Sequence, residues 1–195
     1  MNLNNRVKDL LETEHSAEFI ALKSLASHEL SFSDLIKGDI DSLQENPLGL
    51  IRSYLLFHFN EHANRVLSLH KVVSVALAIE LIVRAQTLHS NILDSHATSK
   101  TLIGDMLLSR AYVILTKVNS ISILKLFVHA SEKTIEGEVW LLQKQSNCEQ
   151  FTLKDVYERS VLPMFLVIEH LLRSECIDGP CAKRLEVLKK FAELS

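Results

Sequence analysis

Glycine and proline are scarce in this chain, five and three among 195 residues. Few positions can therefore supply the tight turns that a many-stranded sheet needs, so long helices are favoured over strands. Cysteine is limited to three, which cannot complete a disulfide framework and leads us to expect a reducing, cytoplasmic setting. A basic excess is also missing. Lys and Arg total 21 against 24 Asp and Glu, a formal net charge of −3, so no general positive field would draw nucleic acid or an anionic membrane. Long uncharged apolar runs are lacking too. The most apolar segment, Val66 to Leu88, is interrupted by His70, Lys71, Glu80 and Arg84, short of the ~18–20 uncharged residues expected of a membrane span. The opening residues include Lys8, Asp9, Glu12, Glu14 and His15, and do not read as a signal peptide.

What is present is apolar bulk, 47% of the residues, enough for one well-buried domain. The expected architecture is all-α, a single helical domain over residues 1–195 with about seven or eight helices. Residues Leu3 to Leu30 read as one amphipathic stretch, with Leu10, Leu11, Phe19, Ile20 and Leu25 turned inward. Ser33, Asp34, Gly38 and Asp39 mark turns. Asn46-Pro47 opens a helix running to Phe59, because Asn can cap and Pro at the first helical position loses no needed hydrogen bond. Glu61 to Leu93 follows as one long helix, apolar almost all round between Val72 and Val83 and therefore buried on most sides. Glu80 and Arg84, four apart, can pair on its polar face.

After a polar break at Asp94 to Lys100, helices are expected from Thr101 to Val118 and from Ser120 to Lys144. Thr152 and Asp155 form a capping-box variant that opens a further helix through Cys176. Pro163 should kink that helix by removing a backbone donor and crowding the preceding turn. Asp178-Gly179-Pro180 ends it, and a short charged helix closes the chain.

Three short motifs follow one another in this framework. Ala78-Ile79-Glu80-Leu81-Ile82 leads into Leu88-His89-Ser90-Asn91-Ile92-Leu93-Asp94. Next comes Gly104-Asp105-Met106-Leu107-Leu108-Ser109-Arg110-Ala111, and then Glu136-Gly137-Glu138. In this order they resemble the trans-prenyl diphosphate synthases, in which a helix ends in an Asp-rich DDxxD cluster, the next opens with GDxLLARA and a third carries EGE. The resemblance covers residues 46–145 and implies a truncated isoprenoid-synthase-like fold. It also implies what is missing. The two leading aspartates are Ser90 and Asn91 here, leaving Asp94 as a vestige. Ser95 to Ile103 lacks the arginines that follow the cluster, Gln44 to Gly49 replaces the upstream phosphate-binding stretch, and no second Asp-rich cluster appears. Diphosphate leaves only when divalent metal neutralises it, and magnesium needs several hard oxygen ligands. The resemblance therefore implies no catalytic residue, metal site or cofactor in this chain.

It points to the non-catalytic small subunit, component I, of a heterodimeric hexa- or heptaprenyl diphosphate synthase serving menaquinone side chains. Mg2+ is then expected in a catalytic large subunit, and a homodimer of the isolated chain is possible. Family members associate through the helices after the Asp cluster and around EGE, which places Leu102, Met106, Leu107, Arg110, Ile114, Leu124, Phe127 and Ile135 at the expected contact. In the family, bulk just upstream of the first cluster limits product length. Here Ala85 and Gln86 occupy those positions and would wall a tunnel. Two alternatives stand beside this reading: a degenerate homodimeric synthase with residual activity, and an unrelated helical adaptor.

Other groupings read more blandly. His58 and His62 have a spacing that can hold zinc, but Glu61 precedes the second histidine instead of following the first, and no third ligand is evident. They read as boundary histidines. Cys176 and Cys181, with His170 nearby, read as half-buried thiols supported only by Lys183 and Arg184. Glu136 and Glu138, two apart on a helix, do not share a face. Trp140 and Phe127 read as packing anchors.

Overall fold

The computed structural model describes residues 9–30, 50–62, 66–90 and 97–175, and among these every regular element is helical. The helices are α1 (Ser16–Glu29), α2 (Ile51–His62), α3 (Leu69–Ser90), α4 (Ala97–Lys117), α5 (Ile121–Ser146), α6 (Leu153–Val156) and α7 (Leu162–Glu175), with a π-helical turn at Tyr157–Val161 before α7. The chain gathers into two compact units, Met1–Asn119 and Ser120–Ser195. The Asn46-Pro47 start signal, Asn91, Asp94, Cys176, Cys181 and the Asp178-Gly179-Pro180 stop lie outside the described residues, as does the side chain of Ser90.

In the first unit, the single helix expected over Leu3–Leu30 is broken at Glu14 and His15. The break resets the helical phase. Phe19, Leu22 and Ala26 turn inward, while Ile20, expected inside, is 67% exposed. The next boundary also moves. Glu61 and His62 belong to α2, not to the helix after it. Asn60 explains the separation, because its Oδ1 accepts from the Leu67 N–H at 2.8 Å and its Nδ2 donates to the Leu67 carbonyl at 3.1 Å. That buried pairing satisfies a non-helical backbone position and fixes the connection ahead of α3.

α3 is the core of this unit, buried without interruption from Val72 to Ile82. Leu69–His89 is long and apolar enough to cross a membrane by length and composition, and 72% of its most apolar window is buried within the chain. Glu80 lies in that buried run. Its carboxylate reaches α2, accepting from Arg52 Nη2 at 2.8 Å, from the Ser53 N–H at 3.1 Å and from Ser53 Oγ at 2.8 Å. A buried carboxylate is tolerable only with such partners. The structure thus records a cross-helix bond network for Glu80, which the sequence pattern did not disclose.

A second acid ties α1 to α4. Glu29 accepts a 2.7 Å hydrogen bond from Lys117 and lies 3.3 Å from the Arg110 guanidinium, which also donates to the Glu29 main-chain carbonyl at 2.7 Å. Burial alone would raise the Glu29 pKa. The Lys117 hydrogen bond and the charges of Lys117, Arg110 and His28 outweigh it and hold the carboxyl below its ordinary value. A carboxyl depressed on folding stabilises the protein above its unfolded pKa, and that contribution is lost as pH falls through the folded value. Acid destabilisation should therefore include a Glu29 component below the ordinary value of 4.5. Glu29→Gln should cost about 1–3 kcal/mol at neutral pH and flatten the acid limb. Urea unfolding at a series of pH values checks this; parallel pH profiles for variant and wild type would contradict it.

In the second unit, α5 starts where Ser120 caps it, its side chain accepting from the Ile123 N–H. One stripe of α5 is buried: Ile123, Phe127, Ala130, Ser131, Thr134 and Gly137. It packs against the π turn and α7. The expected capping box is present, with Thr152 Oγ1 accepting from the Asp155 N–H at 3.1 Å and the Asp155 carboxylate accepting from the Thr152 N–H at 2.9 Å. The helix it opens does not simply kink at Pro163. Pro163 has no N–H and its ring crowds the carbonyl four residues back, that of Arg159. The chain absorbs the misfit as the π turn, in which the Leu162 N–H bonds to the Tyr157 carbonyl.

Candidate functional site

The two glycine motifs prove to be helix-packing devices. Gly104 lies in α4 beneath the ring of His89 on α3. A Cβ there would stand 2.4 Å from His89 Nε2 and 3.2 Å from the Ala85 carbonyl oxygen. Only glycine leaves room for the histidine to lie across α4. The ring then reaches the next residue, with His89 Nε2 3.2 Å from Asp105 Oδ1. It also lies 3.3 Å from the Thr101 carbonyl oxygen. The acid of the Gly-Asp pair thus faces a histidine of its own chain.

Gly137 does the same against the π turn. Its missing Cβ would lie 2.4 Å from the Arg159 carbonyl oxygen, the carbonyl that Pro163 displaces from ordinary helical bonding. Glu136 is exposed and paired with Lys133 at 2.6 Å, and Glu138 is half-buried. Beside Gly137 an open cleft of about 700 Å3 runs between α5, the π turn and α7. Leu126, Ala130, Pro163, Leu166 and Val167 give it an apolar floor, while His129, Lys133, Glu136, Glu158, Arg159 and His170 supply its polar groups. Glu158 lies 3.6 Å from Lys154, and the Arg159 guanidinium lies over the Trp140 ring at 4.5 Å. Trp140 also meets Phe151 edge-on at 6.3 Å between ring centres, as a packing anchor does.

The residues expected at a subunit contact divide sharply. Leu107, Ile114 and Phe127 are at most 2% exposed and belong to the chain's own core, so they present no surface to a partner. Arg110 is engaged with Glu29. Met106 and Leu124 are half-buried, while Leu102 and Ile135 are open to solvent at 64% and 52%. The error came from grouping every apolar residue of a helix together. α5 has two apolar stripes, about a third of a turn apart, and only one is buried.

The uncovered stripe consists of Ile121, Val128, Ile135, Val139 and Leu142, all exposed. Ile121, Val128, Ile135 and Leu142 recur every seven residues, a row about 30 Å long on a straight helix, closed up by Val139 at its C-terminal end and interrupted by the exposed Lys125 and Glu132. Exposed β-branched and leucine side chains grouped along one side of a helix are the kind of surface that takes part in protein contacts. Sequence reasoning placed Ile135 at the contact but not Ile121, Val128 or Val139. The seven-residue spacing was the signal that could have identified Ile121 and Val128.

Ala85, placed at a tunnel wall by the resemblance, is fully buried in α3, and its carbonyl faces Gly104 at the α3–α4 crossing. Gln86 beside it is half-buried. No protein-family model matches the chain, and no curated protein matches it.

Proposed function

We propose that this chain is a non-catalytic, helical docking subunit of a heteromeric long-chain prenyl diphosphate synthase. It would bind its catalytic partner through the exposed seam of α5. The observation that carries this reading is the seam itself, on the same helix as Glu136-Gly137-Glu138 and to one side of the face buried against the π turn and α7. A seam of this length can take a partner helix in knobs-into-holes packing.

Two of the motif carboxylates support a role without chemistry. Asp105 faces His89 and Glu136 pairs with Lys133, so these two acids are committed within their own units. Diphosphate departure, with the Mg2+ it needs, would then belong to the partner. This chain would stabilise that partner and support menaquinone side-chain synthesis through it. The seam serves a helical adaptor of another system equally well, and the test must separate the two.

The test is co-expression with a chain carrying both Asp-rich clusters, followed by purification and product analysis with isopentenyl and farnesyl diphosphates. We expect a stable complex that makes long-chain product, and no elongation by this chain alone. Elongation by the isolated chain would establish a degenerate synthase instead. Failure to associate with such a partner would leave the adaptor as the surviving reading.

A further inference from the structure

His15 occupies the N-cap position of α1, yet its side chain makes no capping bond. The imidazole is 1% exposed, a costly place for a polar ring that is not used. Its Nδ1 lies 3.6 Å from the Glu61 carboxylate. Its Nε2 is buried and finds no hydrogen-bond partner among the described residues. A carboxylate facing one ring nitrogen, here just beyond hydrogen-bond range, with the other nitrogen left bare, approaches the arrangement that orients a metal-binding histidine.

The surroundings complete the pattern. Glu14 precedes His15 in the break between the first helical turn and α1, and its carboxylate accepts a hydrogen bond from Tyr54. His58, on α2, brings its ring to 5.9 Å from that of His15. One ligand atom from each of Glu14, His15 and His58 lies within 4.8 Å of the others.

We propose that Glu14, His15 and His58 form a binding site for a divalent transition-metal ion of the zinc class. Tetrahedral zinc with bonds near 2.0–2.1 Å holds its ligand atoms roughly 3.3 Å apart, so the three groups must draw together by about 1–1.5 Å. Glu14 is exposed and His58 half-buried, which leaves both free to adjust. Two imidazoles with one carboxylate suit zinc and its first-row neighbours, whereas magnesium and calcium require oxygen ligands. Three protein ligands leave a fourth position for water or a small ligand. His62 stands beside the site, its ring 4.2 Å from that of His58, and its Nδ1 donates to the His58 carbonyl. The site would tie the break before α1 to α2, and it draws on residues far apart in the sequence.

The experiment is Zn2+ titration of the full chain after chelator treatment, with Co2+ absorption as a second readout and circular dichroism to verify folding. We expect one ion per chain and a rise in melting temperature with Zn2+. Glu61→Gln should weaken binding by about 10- to 100-fold through loss of orientation. Glu14→Gln and His58→Asn should weaken it further, and His62→Ala the least. If His15→Asn fails to fold because the site is buried, Glu14→Gln and His58→Asn still decide the matter. The proposal is overturned if no stoichiometric ion binds, or if both of these variants keep wild-type affinity. It is equally overturned if loss is confined to His58 and His62, which would reduce the site to an ordinary histidine pair on one helix.

Discussion

Gly137→Ala should destabilise the Ser120–Ser195 unit by about 1–2 kcal/mol net, although alanine is the better helix former. Alanine gains about 1 kcal/mol over glycine in a helix interior. Against this stands a Cβ 2.4 Å from the Arg159 carbonyl oxygen and 2.6 Å from its carbon, both backbone atoms that cannot rotate away. Overpacking of this kind costs about 1–3 kcal/mol and sometimes more, because α5 must separate from the π turn. Gly104→Ala supplies the comparison. There the closest atoms belong to the His89 side chain, which is 32% exposed and can swing aside, leaving only the 3.2 Å approach to the Ala85 carbonyl. Its cost should stay under about 1 kcal/mol and shrink further in a His89→Ala background. Chemical denaturation of the three variants checks the order. Gly137→Ala unfolding with or above wild type would show that the two backbones do not approach so closely.

The contrast between these glycines shows what the sequence could and could not disclose. Gly104 and Gly137 were recognisable as parts of a motif, but a motif names residues and not the atoms that press on them. Local signals were legible because their partners lie within a turn: the Thr152–Asp155 box is where the pattern puts it. Pro163 was legible as a disturbance, though not as a π turn, since that outcome depends on the chain yielding over five residues. The boundary between α2 and α3 was misplaced because Asn60 and Leu67 settle it across the connection. Ile20 was misassigned when the break at Glu14 and His15 shifted the helical phase behind it. The same break brings Glu14 and His15 to His58, and no local spacing contains that meeting. The two residues that join His58 in the proposed site lie more than forty positions upstream of it.

A charge at Phe127 and a charge at Ile135, eight residues along the same helix, should have opposite consequences. Phe127 is wholly buried in the covered stripe of α5. Phe127→Asp removes a large apolar side chain and leaves an unpaired carboxylate where nothing can solvate it, a combination expected to cost more than about 4 kcal/mol. Much of a small domain's stability would go with it, so loss of a partner by this variant would say nothing about surfaces. Ile135 is 52% exposed in the heptad seam, and Ile135→Asp should leave stability within about 0.5 kcal/mol of wild type. If the seam receives a partner helix, that same change buries a charge at the centre of the contact and should weaken association by about 2 kcal/mol, roughly thirty-fold. Val128→Asp, one heptad away, should behave like Ile135→Asp. Circular dichroism and denaturation place each variant on the stability axis, and pull-down with the catalytic partner places it on the other. Normal binding by both seam variants, in proteins as helical as wild type, would remove α5 as the docking surface. Intact folding of Phe127→Asp would show instead that the stripe taken as core is not.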